Sequence, residues 1–317
     1  MRFCRYLLPL AFILGITGVQ AADQSAQERA KQNKIVVADA KSTHHLNLYV
    51  AKELGIFKKY GVDVEIINVK DPAAQRDSVV SGKADVFWAC PTVAIAAIAN
   101  GAPFQIISQV KKPCTSVLLV PKNSPIKTLS DLKGKRVAGL SPTCCAVISI
   151  TSAARKIGVS FTLEKLPGGP AIAALEAGRV DAAILEEPHV SIAELKGFKV
   201  ILPDISKNIP CRTIQATKGY LKANPEALKR FIQAIEESNA IILKDPKANR
   251  IVDIAVKYTG APRDAILHGN DRLKFRTLID EQGLSQFADD LVAQKVIKKN
   301  SGTDVFAPEF KGITWGK

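Results

Sequence analysis

The chain has 317 residues, 47% of them hydrophobic and 23% charged, with a formal net charge of +14 at pH 7. That length exceeds the usual single-domain size of about 100–150 residues, so two domains or lobes are expected, with enough apolar content for a full core. The basic residues are scattered, and their clusters at 58–59, 111–112 and 296–300 are too short for the aromatic-interleaved stripe of a nucleic-acid binder, so the charge reads as a solvated surface that attracts anions in general.

The chain opens on signals of export. Arg2 and Arg5 form a positive start, YLLPLAFILGI is an apolar run of signal-peptide length, and Val19–Ala21 reads as a small-residue cleavage site. Residues 1–21 are therefore expected to be a signal peptide, leaving a mature chain with a net charge of +12. Cys4 lies in the removed segment, too early to carry a lipid. No later stretch reaches the roughly 18–20 apolar residues of a membrane span. An oxidising compartment, the periplasm, is the expected location.

Strands then alternate with helices. Residues 34–40 form a short apolar run that predicts a buried strand. Leu46, Tyr49, Val50, Leu54 and Phe57 recur at steps of three and four, which predicts one helix ended by Gly61. Strand patterns follow at 62–69 and 84–90, with helices at 72–82 and 91–101, the second having Pro at its start and Gly at its end. Segments 104–110 and 115–121 read as strands, and TLSDLKGKRVAGL as a loop, one helical turn and a strand. This alternation implies α/β layers with largely parallel sheets.

An internal echo sharpens the picture. Residues 73–101 resemble residues 169–197: each has a helix, then Gly-Lys or Gly-Arg, one residue and Asp, a strand, a Pro-containing loop and a second helix. One copy per lobe predicts two similar α/β lobes, although ordinary α/β units can echo one another by chance.

YVAKELGIFKKYGVDVEI, SGKADV, NSPIKTLSDLKGKRVAG, GRVDAAILEEP and YLKANPEALKRFIQAIEES, in that order, resemble successive signatures of periplasmic binding proteins. These serve ABC importers of taurine, aliphatic sulfonates, nitrate and the thiamine pyrimidine precursor. The resemblance covers roughly residues 34–290 and implies a type II-like binding-protein fold with a hinge. It places lobe 1 at 34–112 and 211–317 and lobe 2 at 113–210. It also implies an inner-membrane permease and ATPase as partners, a monomer, and no cofactor. The pyrimidine branch includes synthases with a lysine and a histidine just beyond the SGK-x-D segment; the matching positions here are Ala89 and Val93, so no enzyme is expected. Their dense cysteine run is reduced here to Cys211.

Ligands of open α/β sheets bind beyond the carboxyl ends of strands, near helix N-termini. The loops that fit are 40–45, 89–92, 141–145 and 186–189, together with the expected crossovers at 111–115 and 209–213. They supply the candidate ligand-binding residues Lys41, Ser42, His44, His45, Cys90, Pro91, Thr92, Cys114, Ser141, Thr143, Cys144, Cys145, Glu186, Glu187 and Cys211. Every cysteine after Cys4 is among them. These could be small buried residues, disulfide partners or a soft-ligand set of Cys90, Cys144, Cys145 and His45 for a metal or thiol-reactive ligand. In the resembling fold the crossovers run side by side, which implies a Cys114–Cys211 disulfide. Ser141, Thr143 and the free N–H groups of a helix start suit an anion, with Lys41 and Arg212 adding charge. Trp88 with Glu186 or Glu187 would suit a pyrimidine, although Trp88 also fits a strand core.

Overall fold

The computed structural model describes residues 11–69, 72–111, 114–203 and 211–313. Among these residues ten strands fall into two five-stranded sheets: β1 (Lys34–Asp39), β2 (Asp63–Asn68), β3 (Val86–Ala89), β4 (Phe104–Lys111), β5 (Val117–Val120), β6 (Arg136–Gly139), β7 (Thr162–Lys165), β8 (Ala182–Leu185), β9 (Lys199–Leu202) and β10 (Arg212–Thr217). The first sheet runs β2-β1-β3-β10-β4 and the second β7-β6-β8-β5-β9. The two orders are the same plan, with β1, β2 and β3 answering to β6, β7 and β8. In each sheet one strand is antiparallel to both neighbours: β10 in the first and β5 in the second. Each is the first strand after the chain passes from one sheet to the other, which is why the sheets are mixed and not wholly parallel. The passages themselves lie partly outside the described residues, as do Arg2, Cys4 and Arg5 of the expected leader.

The echoed Gly-x-x-Asp segments have one structural job in both lobes. The Asp85 carboxylate accepts the Val36 N–H of β1, and its own N–H donates to the Val36 carbonyl. Asp181 does the same to Arg136 of β6. A short polar side chain at a strand entrance thus satisfies a backbone donor of the neighbouring strand.

One helix differs from expectation. The helix expected through Gly61 is two, Leu46–Glu53 and Ile56–Lys59, because Gly55 adopts φ 70° between them. The helix Ala11–Lys31 runs through the expected cleavage point, and its C-terminal half is built into the first lobe. Ala26 and Ala30 are buried in the main core, while Arg29 binds both Asp85 oxygens at 2.7 and 2.8 Å. Gly82 makes that docking possible. It sits at φ +76°, and an added Cβ would lie 2.6 Å from the Ala22 Cα. A Gly82→Ala variant is expected to lose about 1–2 kcal/mol from the left-handed backbone alone, and more from the clash. Urea unfolding of the two proteins measures this.

The main core gathers Trp88, Phe231, Tyr220 and the apolar face of the helix Pro225–Lys244. That helix starts cleanly because the Asn224 side chain accepts the Ala227 N–H. Two C-terminal elements join the lobes. The helix Glu281–Ala293 packs on Pro91–Ala99 of the first lobe and Cys145–Lys156 of the second, and the helix Arg263–Gly269 packs on His189–Leu195. Among the described residues no helix is long and apolar enough to cross a membrane.

Candidate functional site

A cleft of about 820 Å³ opens between the lobes. The first lobe contributes the end of β3, the start of β10 and the helix Pro72–Val80; the second contributes Leu140, Ser141, Thr143 and Cys144 from the turn after β6. Much of the wall is aliphatic, with Ala73, Val80, Val93, Ala96 and Ala97 along one side.

Three lining residues hold nitrogens that are buried without a hydrogen-bond partner: Gln75 Nε2, Trp88 Nε1 and His45 Nε2. All three side chains are at most 2% exposed. An unpaired buried donor costs about 1–3 kcal/mol, so these atoms need something in the cleft to satisfy them. Trp88 also packs edge-on against Phe231, its ring centroid 5.8 Å away, so its indole serves both core and cleft. His45 is oriented by Asp39, whose Oδ1 lies 2.7 Å from Nδ1. Burial pushes the Asp39 carboxyl up, but bonds from His45, the Lys41 N–H and the Tyr49 hydroxyl hold it below its ordinary value. With Nδ1 turned to Asp39, His45 Nε2 accepts a hydrogen bond when the ring is neutral and donates one when it is protonated.

The cysteines form a second cluster beside the cleft. Cys90, Cys114, Cys145 and Cys211 share one buried apolar group. The Cys145 N–H, at the start of a helix in the second lobe, donates to the Cys90 sulfur of the first lobe at 3.1 Å. Burial pushes the Cys90 thiol up. Hydrogen bonds from Cys144 and Cys145 and the Arg212 charge outweigh it and hold the thiol well below its ordinary value.

Opposite charges also bridge the lobes. Arg212 of β10 donates to both Glu186 oxygens at 2.9 and 3.0 Å. Arg272 binds Glu187 at 2.8 Å and Glu194 at 2.7 Å. Glu187 also accepts the Ser191 N–H.

Of the residues expected from sequence, His45, Cys90, Thr92, Ser141, Thr143 and Cys144 line the cleft. Lys41 is exposed in a left-handed turn, and Ser42 caps the next turn through the His44 N–H. His44, Pro91, Cys114, Cys145 and Cys211 lie behind the lining. Glu186 and Glu187 are engaged by arginines and do not line the cleft. The expected Cys114–Cys211 disulfide is not formed: the five cysteines among the described residues are thiols, Cys114 lies 4.0 Å from the Cys145 sulfur, and Cys211 lies 3.6 Å from His44 Nδ1. The soft-metal set of Cys90, Cys144, Cys145 and His45 does not come together as a whole, although its three cysteine side chains meet one another. Asp39 holds His45 on its own side, and among the described residues no three His, Cys, Asp or Glu side chains form a metal-holding group. Sequence reading passed over Gln75 and Arg76 as parts of a scaffold helix, although a polar pair beside Pro72 at a helix start was a usable signal.

Residues 42–249 match the family model described as NMT1/THI5 like. The chain belongs to this family. The NMT1/THI5-like chain is 28% identical over 269 residues to a protein of Escherichia coli (strain K12) named as an aliphatic sulfonates-binding protein, covering 82% of this chain and 80% of that one. It is 25% identical over 230 residues to a 4-amino-5-hydroxymethyl-2-methylpyrimidine phosphate synthase of Aspergillus parasiticus, spanning 65% of each. Its fold superimposes on the crystal structure of the periplasmic aliphatic sulphonate binding protein SsuA from Escherichia coli with a TM-score of 0.77, at 21% identity, over 90% of this chain and 94% of that one. The two-lobed α/β plan is therefore that of the periplasmic binding proteins.

Proposed function

We propose that this chain is the periplasmic solute-binding component of an ABC importer, and that its ligand is a small organic anion with an aliphatic part, the aliphatic sulfonates being the class. The observation that carries this reading is the set of orphaned nitrogens on Gln75 and Trp88 in a cleft with an aliphatic wall. Neutral donors suit a sulfonate's oxygens, while Val80, Val93 and Ala96 suit its alkyl chain. The Ser141 and Thr143 hydroxyls of the second lobe, 3.0 Å apart, would close over the ligand. A pyrimidine would want a carboxylate for its ring nitrogens, and Glu186 and Glu187 are both held by arginines. The likeness to a sulfonates-binding relative along four fifths of its length supports the same choice. The ligand would be passed to a permease and ATPase in the inner membrane.

Titration calorimetry with short alkanesulfonates, nitrate and a hydroxymethylpyrimidine tests the class. Saturable binding of an alkanesulfonate is expected; binding of the pyrimidine alone would overturn the reading. A Trp88→Phe variant keeps an aromatic side chain but loses the N–H together with part of the indole's bulk. Removing a hydrogen bond to a charged ligand costs about 1.5–3 kcal/mol, so Kd should rise by roughly 10- to 150-fold.

A further inference from the structure

We propose that Cys90 and Cys144 form a thiol–disulfide exchange site across the cleft, which reacts with a small organic disulfide and becomes a bridge that fastens the two lobes together. Cys90 follows β3 of the first lobe, Cys144 immediately precedes the helix Cys145–Lys156 of the second, and both line the same cleft. Their segments already touch, since the N–H of Cys145 reaches the Cys90 sulfur at 3.1 Å. The cleft gives a reagent a way in, which the deeper pair lacks: Cys114 and Cys145 are 3% and 1% exposed and do not line it.

The two sulfurs are unequal in a way that sets the order of steps. Cys90 is the nucleophile, because hydrogen bonds and the Arg212 charge favour its thiolate against burial. For Cys144 the bond with Cys145 works downward, but its bond with Cys90 and burial push the thiol up, so it waits as the resolving group. The Cys90 thiolate attacks one sulfur of the disulfide, forming a mixed disulfide and expelling the other half as a thiolate. That thiolate takes the Cys144 proton. The Cys144 sulfur then attacks Cys90 and expels the second half. Two cysteine thiols are oxidised and one organic disulfide is reduced to two thiols.

Oxidised glutathione is the probe. The reduced full-length protein is treated with it, its remaining thiols are alkylated, and peptides are mapped without reduction. The expected result is loss of alkylation at Cys90 and Cys144 only, with the two joined. A Cys144→Ser variant should stop at a stable glutathione adduct on Cys90, a Cys90→Ser variant should form neither product, and a Cys145→Ser variant should still bridge. Hydrogen exchange should slow at 89–92 and 141–147 in the bridged protein and recover on reduction. No bridge, a bridge from Cys90 to any other cysteine, a bridge between Cys114 and Cys145 alone, or a bridge that leaves exchange at both loops unchanged would overturn the proposal. No transport ligand enters these measurements, so they stand apart from the outcome of the sulfonate titrations.

Discussion

An Arg29→Ala variant is expected to lose about 3–5 kcal/mol of stability, the usual cost of removing one partner of a buried ion pair. Asp85 is fully buried, and Arg29 holds both of its oxygens while also donating to the Gly82 carbonyl. Without the guanidinium the carboxylate keeps only backbone partners such as the Val36 N–H. The loss should depend on pH, with a definite sign. Burial raises the Asp85 carboxyl above its ordinary value even with Arg29 in place, because Arg29 and the Val36 N–H oppose it incompletely. A raised carboxyl binds its proton more tightly in the folded state, so stability is fullest below the unfolded value and falls as pH rises through the interval up to the folded one. Removing Arg29 widens that interval. Urea unfolding at neutral pH and in mild acid should therefore show the largest penalty at neutral pH. A penalty that grows on acidification would contradict the account.

An Arg212→Met variant is expected to favour the open form of the protein. Arg212 and Glu186 come from opposite lobes and are 12% and 27% exposed, so their bond exists only while the lobes meet. Truncating one partner of a buried, hydrogen-bonded charge pair costs about 2–5 kcal/mol. The partial exposure of Glu186 puts this pair at the lower end. Even about 2 kcal/mol shifts the closing equilibrium roughly 30-fold. The same loss should appear as a larger scattering radius for the ligand-free variant and as weaker binding of whatever fills the cleft. Glu186→Gln should act in the same direction, and the double variant should cost less than the two single losses added together. An unchanged radius and an unchanged Kd in both single variants would mean that the pair does not hold the lobes.

Much of the architecture was legible before folding. The alternation of strand and helix patterns, the glycine stops and the echo at 73–101 and 169–197 pointed to two similar lobes, and both sheets share one strand order. The echo was legible because it is a recurrence of residue types in the sequence itself. Arg29 was not: its partner lies 56 positions on, and nothing local marks a long-range ion pair. At the site, loop position singled out Cys90, Cys144 and His45, and all three line the cleft. Their chemistry was less visible, because Asp39, which pins His45, reads as one polar residue within the apolar run 34–40. Trp88 looked like strand core because alternation tells which face a side chain takes, not that one edge of a large ring reaches a cleft. The disulfide expectation failed because parallel crossovers say nothing about which sulfur each side chain meets.

The returning strand β10 sits between β3 and β4, so the first sheet is split in two until residues 212–217 have been made. The second sheet has no such gap, since β5 to β9 are contiguous in the chain. During synthesis the middle of the polypeptide can therefore complete its own sheet while the first lobe waits for its fifth strand, and the N-terminal helix waits longer still for the helix Lys218–Ala223 on which it packs. A chain organised in this way cannot complete the sheet of its first lobe until about two thirds of its length has been made.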